Sequence, residues 1–479
     1  MENTEKTQGE RIKENLGYKP ESAWLKVSTK EKEDIFSFCG PYIDFLNKNK
    51  TERESVEWAE GEAKKRGFVE LDEATGGGKK LKCGDKVYKV NRDKNIILAV
   101  IGKRPLDEGL NMVGSHVDAP RIDLKPNPLY EDGDLALLKT HYYGGIKKYQ
   151  WTVIPLAIHG VIFRANGEKV VIQLGERDDE PKLYISDLLP HLAQEQMKKS
   201  MSEGITGEGL NVLVGNMPYP EEKLKKKIKT NMLEILNEMY GIHEEDFMRA
   251  ELEIVPAFRA GDVGIDRSMI GGYGQDDRVC AYTSLQAIFE VQNPDRTAVC
   301  VLVDKEEIGS MGNTGMQSAF LENTVAKLCR AAAENYSDIT VRDAMFHSKF
   351  LSADVTAVLD PTYQDVNDKR NATYLGRGVA VMKYGGSHGK TGSSDANAEF
   401  VAELTNMLNK NNVAWQSGEM GYVDLGGGGT IAMFLAEYGM DVVDVGPGFL
   451  SMHAPLEVSS KIDVYMAYKA YKTFYNQMN

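Results

Sequence analysis

The sequence predicts an α/β protein: a three-layer α/β sandwich interrupted by a β-rich insertion. Three observations predict it. From about residue 256 onward, strand-like and helix-like stretches alternate, as in sheets whose faces are covered by helices. Thr297–Asp304 is a continuous apolar, β-branched run after the turn-like Asn293-Pro294-Asp295, which reads as a buried strand. Between about residues 122 and 255 the character changes to short alternating runs.

In chain order, residues from about 20 to 66 are helical. Trp24, Leu25, Ile35, Phe36, Tyr42, Phe45 and Leu46 fall in an amphipathic pattern, and Thr51-Glu52-Arg53-Glu54 is a capping box opening a helix that Arg66-Gly67 ends. Gly76–Gly78 marks a turn, and strands are expected at Lys86–Val90, Asn95–Ile101 and Leu110–Ser115. Within the insertion, Gln150–Ile158 and Gly160–Arg164 suggest β-hairpins, Val170–Leu174 another strand and Glu221–Tyr240 a charged helix. Helix Arg278–Val291, strand Thr297–Asp304, helix Leu321–Asn335, strand Ala353–Leu359, helix Asp395–Asn409, strand Met440–Val445 and helix Lys461–Gln477 follow. The expected organisation is therefore one domain built from residues 1–121 and 256–479, with 122–255 inserted.

The 479 residues suffice for two or three domains. A hydrophobic fraction of 42% and a charged fraction of 27% are ordinary for a globular protein. The net charge of −14 argues against a nucleic-acid partner. Five scattered cysteines without a Cys-x-x-Cys pair indicate neither a thiolate metal site nor a disulfide framework. Met1–Lys13 is polar, and no stretch approaches the roughly 18 apolar residues of a membrane span. The chain reads as cytoplasmic.

Five stretches carry metal-ligand chemistry. In His116-Val117-Asp118 the two side chains share one side of an extended segment, so Asp118 can accept from the second imidazole nitrogen of His116. Asp276 and Asp277 precede an amphipathic helix, where helix capping is the alternative reading. Glu306 and Glu307 emerge at the carboxyl end of a strand, where open α/β sheets place their chemistry. Asp354 follows Ser352-Ala353, and His453 sits on a loop after Gly446-Pro447-Gly448. Two histidines and three carboxylates are what two adjacent divalent ions require. Nitrogen and oxygen donors without sulfur suit Zn, with Mn or Co as alternatives.

His116-Val117-Asp118, Gln275–Arg278, Asp304–Ser310, Ser352–Asp354 and Met452-His453, in this order, resemble the signature of the aspartyl aminopeptidase family of dinuclear zinc exopeptidases, in its bacterial branch. The likeness extends over nearly the whole chain. It implies that Asp276 bridges two ions, that His116 and Asp354 complete one site, and that Glu307 and His453 complete the other. Glu306 is then the general base, taking a proton from the attacking water and delivering it to the leaving amine. The family fold implies a catalytic α/β domain with an inserted dimerisation domain, and dimers assembling into tetrahedral dodecamers that admit short peptides.

Three places depart from the eukaryotic pattern. Pro190-His191-Leu192-Ala193 is present, but Glu195 stands where those members have a histidine reaching a neighbouring subunit's site, which leaves His191 as a substitute. Asp424–Thr430 replaces a Cys-Gly-Thr-Thr stretch; the amides of Gly427 and Gly428 are candidates to hold a substrate carbonyl or carboxylate, with a tight turn as the alternative. The acid-recognising lysine best matches Lys383, with Lys390 as competitor. The expected activity is an aminopeptidase acting on short peptides. A broad-specificity aminopeptidase or deacylase is the alternative, and an inactive assembly scaffold the remote one.

Overall fold

The computed structural model describes residues 7–18, 20–334 and 336–478. The first six residues of the polar amino terminus, and Asn335 at the end of one expected helix, lie outside the described residues.

A nine-stranded sheet forms the centre. Four of its strands, Ala298–Val303, Asn111–His116, Lys349–Ser352 and Asp441–Gly446, run parallel and adjacent in that order. Antiparallel neighbours flank them: Asn95–Val100 on one side and Val379–Met382 on the other. Strand Ala298–Val303 is buried throughout because both faces are covered. Ala298, Cys300 and Leu302 enter one core, and Val299, Val301 and Val303 enter another. Its apolar run is therefore unbroken rather than alternating, as for strands buried on both faces. Helices Thr29–Lys48, Glu52–Lys65, Gln275–Phe289, Ala398–Lys410 and Lys461–Gln477 supply the first core. Phe320–Ala332, Asp338–Phe346 and Ala432–Ala436 supply the second. Helix Glu52–Lys65 opens with the expected capping box on Thr51.

A seven-stranded sheet draws its strands from residues 121–256 and has its own apolar core around Trp151, Ile162 and Ile254. A five-stranded sheet joins Gly261–Val263 and Met269–Gly272 to Glu457–Ser460, bringing the start of helix Gln275–Phe289 beside the chain that carries His453.

Three expectations need correction. The runs Gln150–Ile158 and Gly160–Arg164 are not separate strands: Gln150 lies in a 3₁₀ turn, and Leu156–Phe163 is one strand, which forms its hairpin with Lys169–Leu174. Gly160 is paired on both sides. It sits inside the strand at φ +135°, and a Cβ on it would lie 2.0 Å from the Glu251 carbonyl oxygen of the paired strand. The strand expected over Ala353–Leu359 lies earlier, at Lys349–Ser352, with only Thr356–Ala357 pairing again. Asp354 thereby falls beyond the strand's carboxyl end. The charged helix begins at Lys227, not Glu221, because Lys226 takes a left-handed conformation that starts the helix afresh.

Candidate metal centre

The parallel strands deliver the site at their carboxyl ends. His116 is the last residue of Asn111–His116 and is buried. Glu306 and Glu307 follow Ala298–Val303 across Lys305, whose φ of +69° turns the chain sharply. Asp354 follows Lys349–Ser352. His453 comes from the segment between Gly448–Leu450 and Glu457–Ser460.

All five predicted ligands and Glu306 converge. His116 Nε2 lies 3.2 Å from Asp276 Oδ1, 3.8 Å from Glu306 Oε2 and 3.9 Å from Asp354 Oδ1. His453 Nε2 lies 3.1 Å from Asp276 Oδ2 and 3.5 Å from Glu307 Oε1. Asp276 thus turns one carboxylate oxygen to each imidazole. The aspartates stand in non-helical conformations just before the regular helix, but they do not cap it: the Asp277 oxygens accept no hydrogen bond and those of Asp276 face the imidazoles.

The supporting contacts fix the donors. Nδ1 of His116 is 3.0 Å from the Asp118 carbonyl oxygen and 3.3 Å from its carboxylate, so the expected partner is right but the main chain is nearer. The Asp118 carboxylate accepts the amides of Glu306 (3.1 Å) and Glu307 (3.2 Å) and the Tyr143 hydroxyl (2.9 Å). Glu457 accepts the amides of Asp276 (3.1 Å) and His453 (2.9 Å). Nδ1 of His453 sits 3.0 Å from the Gly145 carbonyl oxygen. Each imidazole is therefore held through one nitrogen and presents the other to the acids.

Burial dominates the electrostatics. It pushes the Glu306 carboxyl up to about 7 and raises Glu307 and Asp354 well above the usual carboxylate range, with neighbouring aspartates adding to the rise. Asp276 is also opposed by burial, yet hydrogen bonds from His116 and His453 hold it below its ordinary value. Both carboxylate oxygens of Asp277 and Oε1 of Glu307 are buried without a hydrogen-bond partner. Buried acid oxygens without donors are costly, and a cation satisfies them. Ligand atoms of His116, Asp276 and Glu307 lie within 4.8 Å of one another, as do those of His116, Asp277 and Asp354. The donor set, imidazole nitrogen with carboxylate oxygen, fits zinc.

Residues 45–475 match the family described as aminopeptidase I zinc metalloprotease (M18). The chain belongs to the M18 family. A probable M18 family aminopeptidase 1 of Clostridium acetobutylicum is 51% identical over 455 residues, 95% of this chain and 98% of that one. The crystal structure of an M18 aminopeptidase from Thermotoga maritima has a TM-score of 0.92 at 44% identity, covering 96% of this chain and all of that one, 100%. The mApe1 dodecamer of S. cerevisiae shares the fold, with a TM-score of 0.74 at 21% identity over 91% of this chain and 96% of that one. This M18 member is accordingly a metal-dependent aminopeptidase, and zinc is its family's metal. The family resemblance drawn from the motifs holds. Among the described residues no helix is long and apolar enough to cross a membrane.

Beside the ligands of this M18 chain opens a cleft of about 560 Å³, lined by Glu306, Asp354, Met382, Met420 and Met452 together with two glycine-rich loops. Gly427 and Gly428 line it, but Gly427 is there for close packing. At φ +102° a Cβ would lie 1.8 Å from the Gly386 carbonyl oxygen, and the Gly386 amide donates to the Gly428 carbonyl. Lys383 is not in the lining; its Nζ lies 3.4 Å from Asp395. Lys390 is in the lining, 3.1 Å from Asp395 and 3.9 Å above the Tyr384 ring. His191 is exposed on an irregular segment and does not line the cleft. The sequence weighs Asp277 only as half of the Asp276-Asp277 pair, reads Tyr142–Gly145, which resembles a family loop, as a structural turn, and gives Glu457 no role. Tyr143 reaches Asp118 across 25 residues and Gly145 reaches His453 across 308, whereas Glu457 stands four residues from His453.

Proposed function

We propose that this M18 aminopeptidase is a dinuclear enzyme that removes the amino-terminal residue of short peptides, with Glu306 as general base. One observation carries the reading: Asp276 directs its two oxygens to two different imidazoles. Asp276 would be shared by both ions, with His116 and Asp354 on one side and Glu307 and His453 on the other. When bound, two such ions supply Lewis-acid polarisation of the scissile carbonyl and make water a stronger acid.

The remaining work belongs to the chain. Asp118 holds the amides of Glu306 and Glu307, so the base and a ligand cannot drift apart. Glu306 borders both the acids and the cleft, where it takes a proton from the attacking water and returns it to the leaving amine. Residues 1–121 and 256–479 form the catalytic domain, a three-layer α/β sandwich, and 122–255 form an inserted dimerisation domain. The separate core of the seven-stranded sheet supports that division. Dimers assembling into a tetrahedral dodecamer are the matching assembly, in keeping with the dodecamer known for the yeast protein of this fold. The free cysteines are in keeping with a cytoplasmic protein.

A preference for amino-terminal Asp or Glu requires a cation in the cleft; Lys390, which lines it where Lys383 does not, is the better candidate. The apolar lining, with Val355, Met382, Met420 and Met452, favours the broad-specificity reading. A panel of peptides differing only in the first residue, free or N-acetylated, separates these readings. Under the acidic-preference reading, Lys390→Ala lowers kcat/KM for Asp and Glu peptides roughly 10- to 100-fold, the cost of one charge-assisted hydrogen bond, and spares Leu and Ala peptides. Equal losses on all of them favour broad specificity, and release of acetate from the blocked peptides favours a deacylase.

A further inference from the structure

One turn reaches both halves of the metal centre from the other sheet. Strand Leu135–Tyr143 belongs to the seven-stranded sheet, and its end, Tyr143-Gly144-Gly145, lies over the carboxyl ends of the parallel strands. The Tyr143 hydroxyl donates to Asp118 Oδ2 at 2.9 Å, the oxygen that also accepts the Glu307 amide. Two residues on, the Gly145 carbonyl receives Nδ1 of His453 at 3.0 Å. Gly144 permits the turn: its φ of +72° is a backbone conformation that a residue with a side chain would adopt only under strain.

The phenol is itself held. Tyr143 is the cross-strand partner of Arg121, whose guanidinium lies 3.9 Å from the ring centroid. Arg121 Nε is 2.8 Å from Asp123 and 3.1 Å from Glu253, and its Nη1 is 3.6 Å from the buried Glu52. A cation stacked on the ring and anchored by three acids leaves the hydroxyl little freedom to leave Asp118.

We infer that Tyr143 is a positioning residue: by donating to Asp118 it fixes the carboxylate that holds the amides of Glu306 and Glu307, and so aligns the base and one half of the metal site. This rests on the dinuclear reading above. Outer-shell donors of this kind orient ligands and are worth roughly 10–100-fold in metal affinity or activity.

Tyr143→Phe in the full-length holoenzyme tests it, because phenylalanine keeps the ring beneath Arg121 and removes only the O–H. Calorimetric zinc titration of the chelated protein is expected to show roughly 10- to 100-fold weaker binding of one ion. At saturating zinc, kcat is expected to fall while KM stays within about twofold, since uniform substrate binding is untouched. In an Asp118→Ala background the same substitution is expected to cost almost nothing more, as for two residues acting in one line. Tyr142→Phe, on the exposed neighbour, serves as the neutral control. Wild-type zinc affinity and kcat in Tyr143→Phe would overturn the inference, as would equal losses with and without Asp118. Glu306→Gln measured alongside separates the two levels: if Glu306→Gln is inactive and Tyr143→Phe is normal, only the positioning role fails. If Glu306→Gln is active, the base role of Glu306 fails.

Discussion

Glu306→Gln is expected to retain both metal ions and to lose roughly 10²–10⁴-fold in kcat, the range that a positioned proton carrier contributes. The substitution is isosteric, and the Glu306 main-chain amide, which is what binds Asp118, is unchanged. Of the acids given no ligand role, Glu306 borders the cleft and approaches His116 Nε2 at 3.8 Å, whereas Asp118, Asp277 and Glu457 do not line the cleft. Burial lifts its carboxyl toward neutrality, and bound cations draw it back toward ionisation. It can thus both accept and release a proton near pH 7. Metal content by elemental analysis beside kcat on a preferred peptide checks the prediction. Loss of the ions together with the activity would make Glu306 a ligand instead.

Asp276→Asn carries the other large effect. Each of its carboxylate oxygens faces a different imidazole, and its amide is tied to Glu457. An amide side chain offers one neutral acceptor where the aspartate offers two charged ones. Both ions are therefore expected to be lost together, well beyond the roughly 10–100-fold penalty of losing an outer partner, with activity falling to that of the chelated protein. Asp354→Asn is expected to release one ion and keep the other. Zinc titration of the two variants distinguishes them; one ion held tightly by Asp276→Asn would show that the sites do not share this residue.

Much of this arrangement was legible because its signals are local. A ligand at the end of a buried strand announces itself: the apolar run ends, and an acid or histidine follows within a few residues, as at His116, Glu306 and Glu307. Helix Lys461–Gln477 falls within its expected bounds because its buried stripe of Val464, Ala467, Tyr471 and Phe474 keeps helical spacing to the end. Contacts that close through space left no such mark. Gly145 and His453 are 308 residues apart, and Glu457 and Asp276 are 181 apart, so no periodicity links them. Gly160 sits inside a strand because the paired backbone leaves no room for a side chain, a demand that no local pattern reveals. Lys383 and Lys390 flank the same glycine-rich loop, and composition cannot say which of them faces the cleft; the fold of the loop decides it in favour of Lys390.

The central claim is that one acid and two imidazoles gather two cations beside a proton-carrying glutamate. Metal counting during chelation and stepwise zinc return tests it most directly, with peptide cleavage followed in the same samples. The account predicts two zinc ions per chain, activity lost on their removal, and activity regained only as the second ion binds. Full activity in a chain stripped of metal, or saturation at a single ion with full turnover, would contradict it.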